Sequence, residues 1–414
     1  MKKVLVIGYV WPEPNSSAAG GHMMSLLRLF KQYGYLVEFA TPAQKTDHMV
    51  DLANEKITSQ AITLNCDSFN NYVTEYQPDI VLFDRFMMEE QFGWRIDKYC
   101  PNALKVLDTE DLQCLRHARH HAHKTNREMT QADLCSDIAK REIAAILRCD
   151  LSLIISSFEM ELLRNTFNVD SHILHHLPFM VDLRQLPKIT RSFSERQHFM
   201  TIGNFRHAPN WDMVLYLQQI WPSIKKRLPD AEMHIYGAYP PPKATALHNP
   251  KTGFLIKGWA DDALKVIEQA RLCLAPIRFG AGIKGKLLDA MIMQTPSITT
   301  SFGCEGMVQQ DENWPGIIAN SATDFIDSSV HLYTEQSAWE KARKCANSLL
   351  KNHYDGDYLG RQLINKITVI EQNLTQHRMI NFTGSMLKHH TLMSTQYMSQ
   401  WITEKNKHLK GSQH

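Results

Sequence analysis

The chain has 414 residues, 43% of them apolar and 21% charged, with a formal net charge of +2. That length exceeds what one hydrophobic core serves and predicts two domains, and the composition predicts a folded chain rather than a disordered one. A charge so near neutral excludes whole-molecule attraction to nucleic acid or to an anionic membrane, leaving only local patches. Eight cysteines, none in a Cys-x-x-Cys pair, read as reduced thiols of a cytoplasmic protein rather than a zinc site or a disulfide frame. Met1-Lys2-Lys3 runs straight into Val4-Leu5-Val6-Ile7, which is too short for a signal-peptide core, and no run reaches membrane-spanning length.

Val4 to Ile7 is a continuous apolar run ending in Gly8, the pattern of a parallel strand covered on both faces. The polar loop WPEPNSSAAGGH follows, then a helical stripe of Met23, Met24, Leu26, Leu27 and Phe30 that stops at Gly34, then a strand over Val37 to Ala40. This is a βαβ unit with a long loop at the strand's carboxyl end, where open α/β sheets bind ligands. Further strands are expected at Ile80 to Phe83, Ala103 to Leu107 and Leu151 to Ile155, with helices between them, so residues 1–182 form one doubly wound domain. Asp108, Glu110 and Asp111 follow a strand, and a helix N-cap accounts for at least one of them. The run RHARHHAHKTNR, positions 116 to 127, reads as a solvated helix face or as a contact for an anionic acceptor.

Residues 183–197 are polar, contain Pro187 and carry no period, which makes them the interdomain linker. A second domain over 198–350 begins with Phe199 to Ile202 and Gly203, and the strand-then-glycine pattern recurs at Met233 to Gly237 and at Phe254 to Gly258. Three such glycines on one sheet edge allow backbone to approach a bound molecule closely. Next come the strand Leu272 to Ala275, the loop with Gly280, Gly282 and Gly285, and a helix carrying Leu287, Leu288, Ala290 and Met291. A Gly-rich loop at a helix N-terminus, with Lys284 and Lys286 beside it, is suited to an anion, and an ordinary βα turn with two solvated lysines has the same pattern. Strands at Ile298 to Thr300 and Gly316 to Ala319 complete the domain. Residues 351–414 are expected to be helical, with a segment over 385–405 whose Met386, Leu387, Leu392, Tyr397, Met398, Trp401 and Ile402 suit packing on a domain or peripheral membrane contact. The end from Lys405 is expected to fray.

Taken in order, LDTEDLQCLR, SLIISSFEMELLRNTFNV, LPFMVD, TIGNFRHAPNWD, FGAGIKGKLLDA and TTSFGCEG resemble a GT-B-fold retaining glycosyltransferase of the "group 1" (family 4) class. The resemblance implies two Rossmann-like domains, a nucleoside-diphosphate sugar held mainly by the second, and an acceptor held mainly by the first. It assigns Gly203, Arg206, Gly237, Gly258, Gly280, Gly282, Lys284, Lys286 and Asp289 to the donor, with Asp289 on the ribose, and places His22 and Gln113 near the reacting sugar. The chain departs from the class at Ala281, where a sugar-facing carboxylate is usual, at Asn204 and at Pro209-Asn210, where a basic pair is usual, and at Gln113, where a histidine is usual. The resemblance implies a reaction without a metal or a further cofactor, since lysines can take the phosphate charge. The acceptor is left open among glycan, lipid and protein. A nucleotide-sugar epimerase or hydrolase, and a degenerate sugar-nucleotide-binding protein, remain the rival readings. An ion pair between Asp289 and Lys286 on the helix surface is the alternative to a ribose contact.

Overall fold

The computed structural model describes residues 1–309 and 311–411, and for 390–393, 396 and 406–411 the backbone alone. Seven strands form a wholly parallel first sheet: β1 Lys3–Ile7, β2 Leu36–Thr41, β3 Thr58–Ala61, β4 Ile80–Asp84, β5 Leu104–Asp108, β6 Leu151–Ile154 and β7 Leu174–His176, in the order β3-β2-β1-β4-β5-β6-β7. The second sheet is also parallel, with β8 Gln197–Ile202, β9 Met233–Tyr236, β10 Phe254–Gly258, β11 Ala270–Ala275, β12 Ser297–Thr299 and β13 Gly316–Ile318, in the order β10-β9-β8-β11-β12-β13. Residues of β1, β4 and β5 are buried at nearly every position, because helices cover both faces. The strand order reverses between β1 and β4 and again between β8 and β11. Those two switch points open crevices at the strands' carboxyl ends.

Two strands carry no apolar signal. β3 is Thr-Ser-Gln-Ala, exposed at all four positions on the sheet edge, and β7 is Leu-His-His. Register with β2 holds β3, and β7 is held by register with β6 and by Leu174, buried in the first domain's core.

The C-terminal helices divide between the domains. Helix Gln336–His353 buries Trp339, Ala346, Leu349 and Leu350 in the core of the second domain. The chain then crosses back, and helix Gly356–Gln372 places Leu363, Ile364, Ile367 and Ile370 among Val4, Val6, Leu82 and Val106 of the first. At the crossing the two interdomain passages pair: Val181 N–H donates to Tyr354 O at 2.8 Å and Gly356 N–H to Val181 O at 2.9 Å.

Helix Phe382–Gly411 continues past Lys405, where fraying was expected, and residues 412–414 lie outside the described part. It lies on helices of the first domain with Leu387 and Ile402 half-buried, but most of its expected apolar face stays outside. Met386, Tyr397, Met398 and Trp401 are exposed, Trp401 by 60%, and Leu392 is among the side chains not described. The helix is anchored by polar groups as well: Arg95 Nη2 donates to Ser399 Oγ at 2.9 Å and Thr403 Oγ1 to Asn65 O at 3.1 Å. Among the described residues no helix is long and apolar enough to cross a membrane.

Ile367 is fully buried in the first domain's core although it lies almost two hundred residues after that domain's last strand. Ile367→Ala should cost about 2–5 kcal/mol of stability in denaturant unfolding, against about 0.5 kcal/mol or less for exposed Val369→Ala two residues on.

Candidate active site between the two domains

Three helices point their N-termini into the crevice between the switch points. Helix Ala18–Gln32 follows β1, helix Ala208–Arg227 follows β8, and helix Gly285–Ile292 follows β11. The first and third touch: a Cβ on Gly285 would lie 2.4 Å from Ala18 Cβ, so only glycine lets these ends meet. The second and third are joined by Lys286 Nζ, which donates to Asn210 Oδ1 at 2.6 Å. Ser17 caps the first helix by accepting from Gly20 N–H, whereas the N-caps of the other two, His207 and Lys284, make no side-chain capping bond. Unpaired amides and aligned dipoles make such a meeting of helix ends attractive to an anion.

Lys284 and Lys286 stand at this point with no carboxylate partner among the described residues. Lys284 Nζ donates to Gly282 O at 2.7 Å. Burial, with Lys284 adding to it, pushes the part-buried Lys286 ammonium down to about 8, and burial lowers Lys284 as well. Asp289, one turn on, is part-buried, and burial pushes its carboxyl up to about 7. It makes no ion pair with Lys286, whose ammonium goes to Asn210. The surface-pair alternative for Asp289 is therefore not what the fold builds.

The glycines divide by what requires them. A Cβ on Gly237 would lie 2.0 Å from Gly203 O, and one on Gly203 2.7 Å from the Asn210 side chain, so these two serve chain packing under the site rather than approach of a ligand. Gly258, with φ of 71°, has open space around it, whereas a Cβ on Gly280, with φ of 147°, would lie in ordinary contact with Pro209 at 3.7 Å. Gly282, with φ of 63°, faces the first domain, where a Cβ would lie 2.9 Å from Asp111 Cβ. Its N–H donates to Glu159 Oε1 at 2.8 Å, so this loop amide is committed to protein and is not free for a phosphate.

Between the β1 loop and the β8 end lies a cavity of about 210 Å³ whose lining includes Glu13, Asp84, Arg85, Glu110, Arg206 and Tyr239. Arg206 stacks on Tyr239, its guanidinium carbon 3.6 Å from the ring centre, and Tyr239 Oη donates to Glu13 Oε1 at 3.1 Å. Arg206 is thus on the cavity wall, facing the first domain. Gln113 does not line the cavity: its Nε2 donates to Met87 Sδ at 3.4 Å, and its side chain is turned to helix Phe86–Tyr99.

His22 is buried behind the cavity with Asp108, Asp84 and Glu110. Its Nε2 lies 3.5 Å from Asp108 Oδ1, an ion-pair contact too long for a hydrogen bond, and neither ring nitrogen has a hydrogen-bond partner among the described residues. Burial alone would lower this imidazole, but Asp108, with Glu110 and Asp84, outweighs it and pushes it up to about 9. Burial and the Asp108 charge push Glu110 up to about 8, and burial raises Asp84. Glu110 also holds φ at 61°, a conformation rare for residues other than glycine and a mark of strained functional turns.

None of the acidic residues after β5 caps the helix that follows. That helix, Gln113–Lys124, has its first amides satisfied from afar: Leu112 N–H by Glu159, and Gln113 N–H and Cys114 N–H by Glu142 at 2.9 and 2.8 Å. Nor is its histidine-rich face simply solvated. Arg119 is buried against the second domain, donating to Gly280 O at 2.9 Å and in bidentate fashion to Glu305 at 2.6 and 2.8 Å. His120 stacks on Phe279, and His123 Nε2 meets Asp212 at 3.2 Å, beside Arg278. Sequence reasoning missed Glu159, Glu142, Asp84 and the seam role of Arg119; the signal for the last lay in an apolar spacing of Cys114, Leu115, Ala118 and Ala122 that turns Arg119 inward.

Among the described residues one group has metal-ligand spacing, His198, Glu232 and His234, at the amino-terminal end of β8 and β9 and away from the crevice. Glu232 N–H donates to His198 Nδ1 at 3.2 Å, which puts the neutral ring's proton on Nε2, the nitrogen facing Glu232. This group does not fit a resident metal without giving up that bond.

The family described as "Glycosyl transferases group 1" matches residues 196–335. No curated protein matches the chain by sequence. Solved structures match along most of its length. S. aureus TarM, in a complex with fondaparinux, alpha-GlcNAc-glycerol and UDP, superposes with a TM-score of 0.68 at 11% identity, covering 88% of this chain and 99% of that one. Sucrose-phosphate synthase from Thermosynechococcus elongatus gives 0.66 at 13%, covering 89% and 99%. Anabaena HepE with UDP and glucose gives 0.65 at 10%, covering 89% and 100%. The chain has the GT-B fold. The two-domain, doubly wound architecture with a helical extension expected from the sequence is what this fold supplies, and the family match falls on the domain that carries Lys284, Lys286 and Asp289.

The His22 cluster makes a pH signature. Its folded pKa of about 9 exceeds the ordinary 6.5, so the contribution is full below about pH 6.5 and is lost as pH rises through 9. The total is on the order of 3 kcal/mol for so buried a group, and the raised Glu110 acts with the same sign. Wild-type stability by urea unfolding should therefore fall between pH 6 and pH 9, and His22→Gln should lose much of that dependence.

Proposed function

We propose that the chain is a metal-independent, retaining glycosyltransferase that moves a sugar from a nucleoside-diphosphate donor to a glycan, lipid or protein acceptor. The observation that carries the reading is the meeting of three helix N-termini with two lysines that have no carboxylate partner, in a crevice of the GT-B fold. Two of the fold relatives hold UDP in their structures, and one of these holds glucose with it.

The charges suit the reaction. As the donor bond breaks, negative charge grows on the departing phosphate while the sugar becomes oxocarbenium-like. Lys284, Lys286 and the helix ends face the first, and fixed charges that need no reorganisation stabilise it best where water is excluded. Glu110 and Asp84 face the second from the cavity wall. Glu110, with its carboxyl raised to about 8, is in the range to exchange a proton with an acceptor hydroxyl near neutral pH. Asp289 takes the ribose hydroxyls, and Arg206 the acceptor side of the cavity. Gln113 has no part.

The experiment is a thermal shift in chelator with UDP, GDP and ADP. At about 100 times its dissociation constant the preferred nucleotide should stabilise the protein by roughly 2.7 kcal/mol. Lys286→Ala should weaken the diphosphate at least tenfold and the nucleoside little, whereas equal losses would remove the phosphate contact. No shift with any of the three would overturn the nucleotide site. Release of nucleoside diphosphate from sugar donors, with and without acceptors, separates transfer from hydrolysis and from binding alone. Asp289 adds a pH test: since its carboxyl is held up to about 7, nucleoside binding should strengthen as pH rises from 6 to 8, and Asp289→Asn should abolish that trend.

A further inference from the structure

The Gly-rich loop is held by the first domain at three successive residues. Arg119 Nη1 donates to Gly280 O at 2.9 Å, Ala281 packs against the first domain's core, and Gly282 N–H donates to Glu159 Oε1 at 2.8 Å. The same Glu159 oxygen accepts from Leu112 N–H at 3.1 Å, so one fully buried carboxylate joins the turn after β5 to the loop after β11. Its Oε2 has no partner among the described residues. Arg119 is itself fixed by the bidentate pair with Glu305 and lies 5.0 Å from the rings of Phe158, in its own domain, and Phe302, in the other. The absence of bulk at Ala281 and Gly282 is what lets the loop seat, because a Cβ at Gly282 would meet Asp111.

Seated in this way, the domains leave a cavity of about 210 Å³. Ligand pockets for molecules of cofactor size run from about 300 to 1,000 Å³, and Lys284, Lys286 and Asp289 do not line this cavity, so a nucleotide sugar that spans from it to the lysines needs the seam to part. We infer that Glu159 and Arg119 are positioning residues that clasp the donor loop in the closed state: the clasp opens to admit the donor and re-forms to fix the loop that carries Lys284 and Lys286 on the first domain. The inference rests on the proposed donor site. It also accounts for the position at which this chain departs from the class it resembles, since Ala281 is spent on contact with the first domain and a carboxylate of that domain stands at the next amide.

Because the clasp joins domains, its loss should affect turnover more than ligand affinity. Glu159→Met removes both acceptor oxygens at nearly constant length and leaves two amides without partners, whereas Glu159→Gln keeps one oxygen for them. Gly282→Ala approaches the same contact from the second domain and leaves the first domain's core intact. Hydrogen exchange of the segment 279–287, with and without UDP, GDP or ADP, should be at least tenfold faster in Glu159→Met and Gly282→Ala than in wild type, and within threefold of wild type in Glu159→Gln. Donor turnover should fall at least tenfold in kcat in the two disruptive variants, while the dissociation constant of the nucleoside diphosphate stays within threefold. Unchanged exchange in both disruptive variants overturns the clasp, as does a fall in affinity equal to the fall in kcat, which would make Glu159 a direct ligand contact. If wild type binds no nucleotide, the donor-site reading fails, and exchange in the unliganded protein still decides the clasp.

Discussion

Parallel sheets place all their strands' carboxyl ends, and hence the N-termini of the helices that follow, on one edge, and here two such edges face each other. Each helix end carries a partial positive charge, so three of them in contact, with Lys284 and Lys286 beside them, repel unless something negative lies opposite. The first domain supplies it: Asp84, Asp108, Glu110, Asp111 and Glu159 all stand at carboxyl ends of its strands or on the turns and helix that follow. Around the donor loop the second domain carries Lys284 and Lys286 and the first domain carries the acids, while at the Arg119–Glu305 pair the signs are reversed. The rest of the structure follows from holding those edges together, through the Gly282 amide on Glu159, the Arg119 pair with Glu305, and Tyr239 on Glu13.

Burial, and next to it the charge of neighbouring Asp108, raises both Asp84 and Glu110. His22 supplies a positive charge among them, 3.5 Å from Asp108. Arg85, from the turn after β4, supplies a second positive charge, its guanidinium 3.7 Å from Asp84. The protons in this cluster belong to the group rather than to one residue. Glu110, raised to about 8, is the carboxyl of this cluster placed to exchange a proton near neutral pH.

Much of the fold was legible because buried parallel strands announce themselves. Val4 to Ile7 and Ile80 to Phe83 are apolar throughout, and the glycines after β8, β9 and β10 mark strand ends. β3 and β7 were not, since an edge strand held by register needs no apolar pattern. The loop before helix Gly285–Ile292, on which Lys284, Lys286 and Asp289 sit, was legible from local sequence, because a loop before a helix has few conformations. Gln113 was misplaced for a related reason: its backbone position is where the resemblance puts it, but the side chain has Met87 as its neighbour, and only tertiary structure decides that. Glu159 and Glu142 were hidden because their work is done at helix termini about thirty to one hundred and twenty residues away. The C-terminal face was misread in part because hydrophobic spacing fixes a helix, not which side of it finds a partner.

The chain passes between the domains twice, and the passages pair at Val181 and Gly356. This pairing and the clasp are separate contacts, so rotation about the first can part the second without unfolding either core. Helix Gly356–Gln372 makes that rotation rigid on one side, because Leu363, Ile364 and Ile367 bury in the first domain directly after the crossing. On the other side helix Gln336–His353 does the same for the second domain through Trp339 and Leu350. The flexible length is therefore confined to a few residues around Tyr354 and to the polar segment before β8.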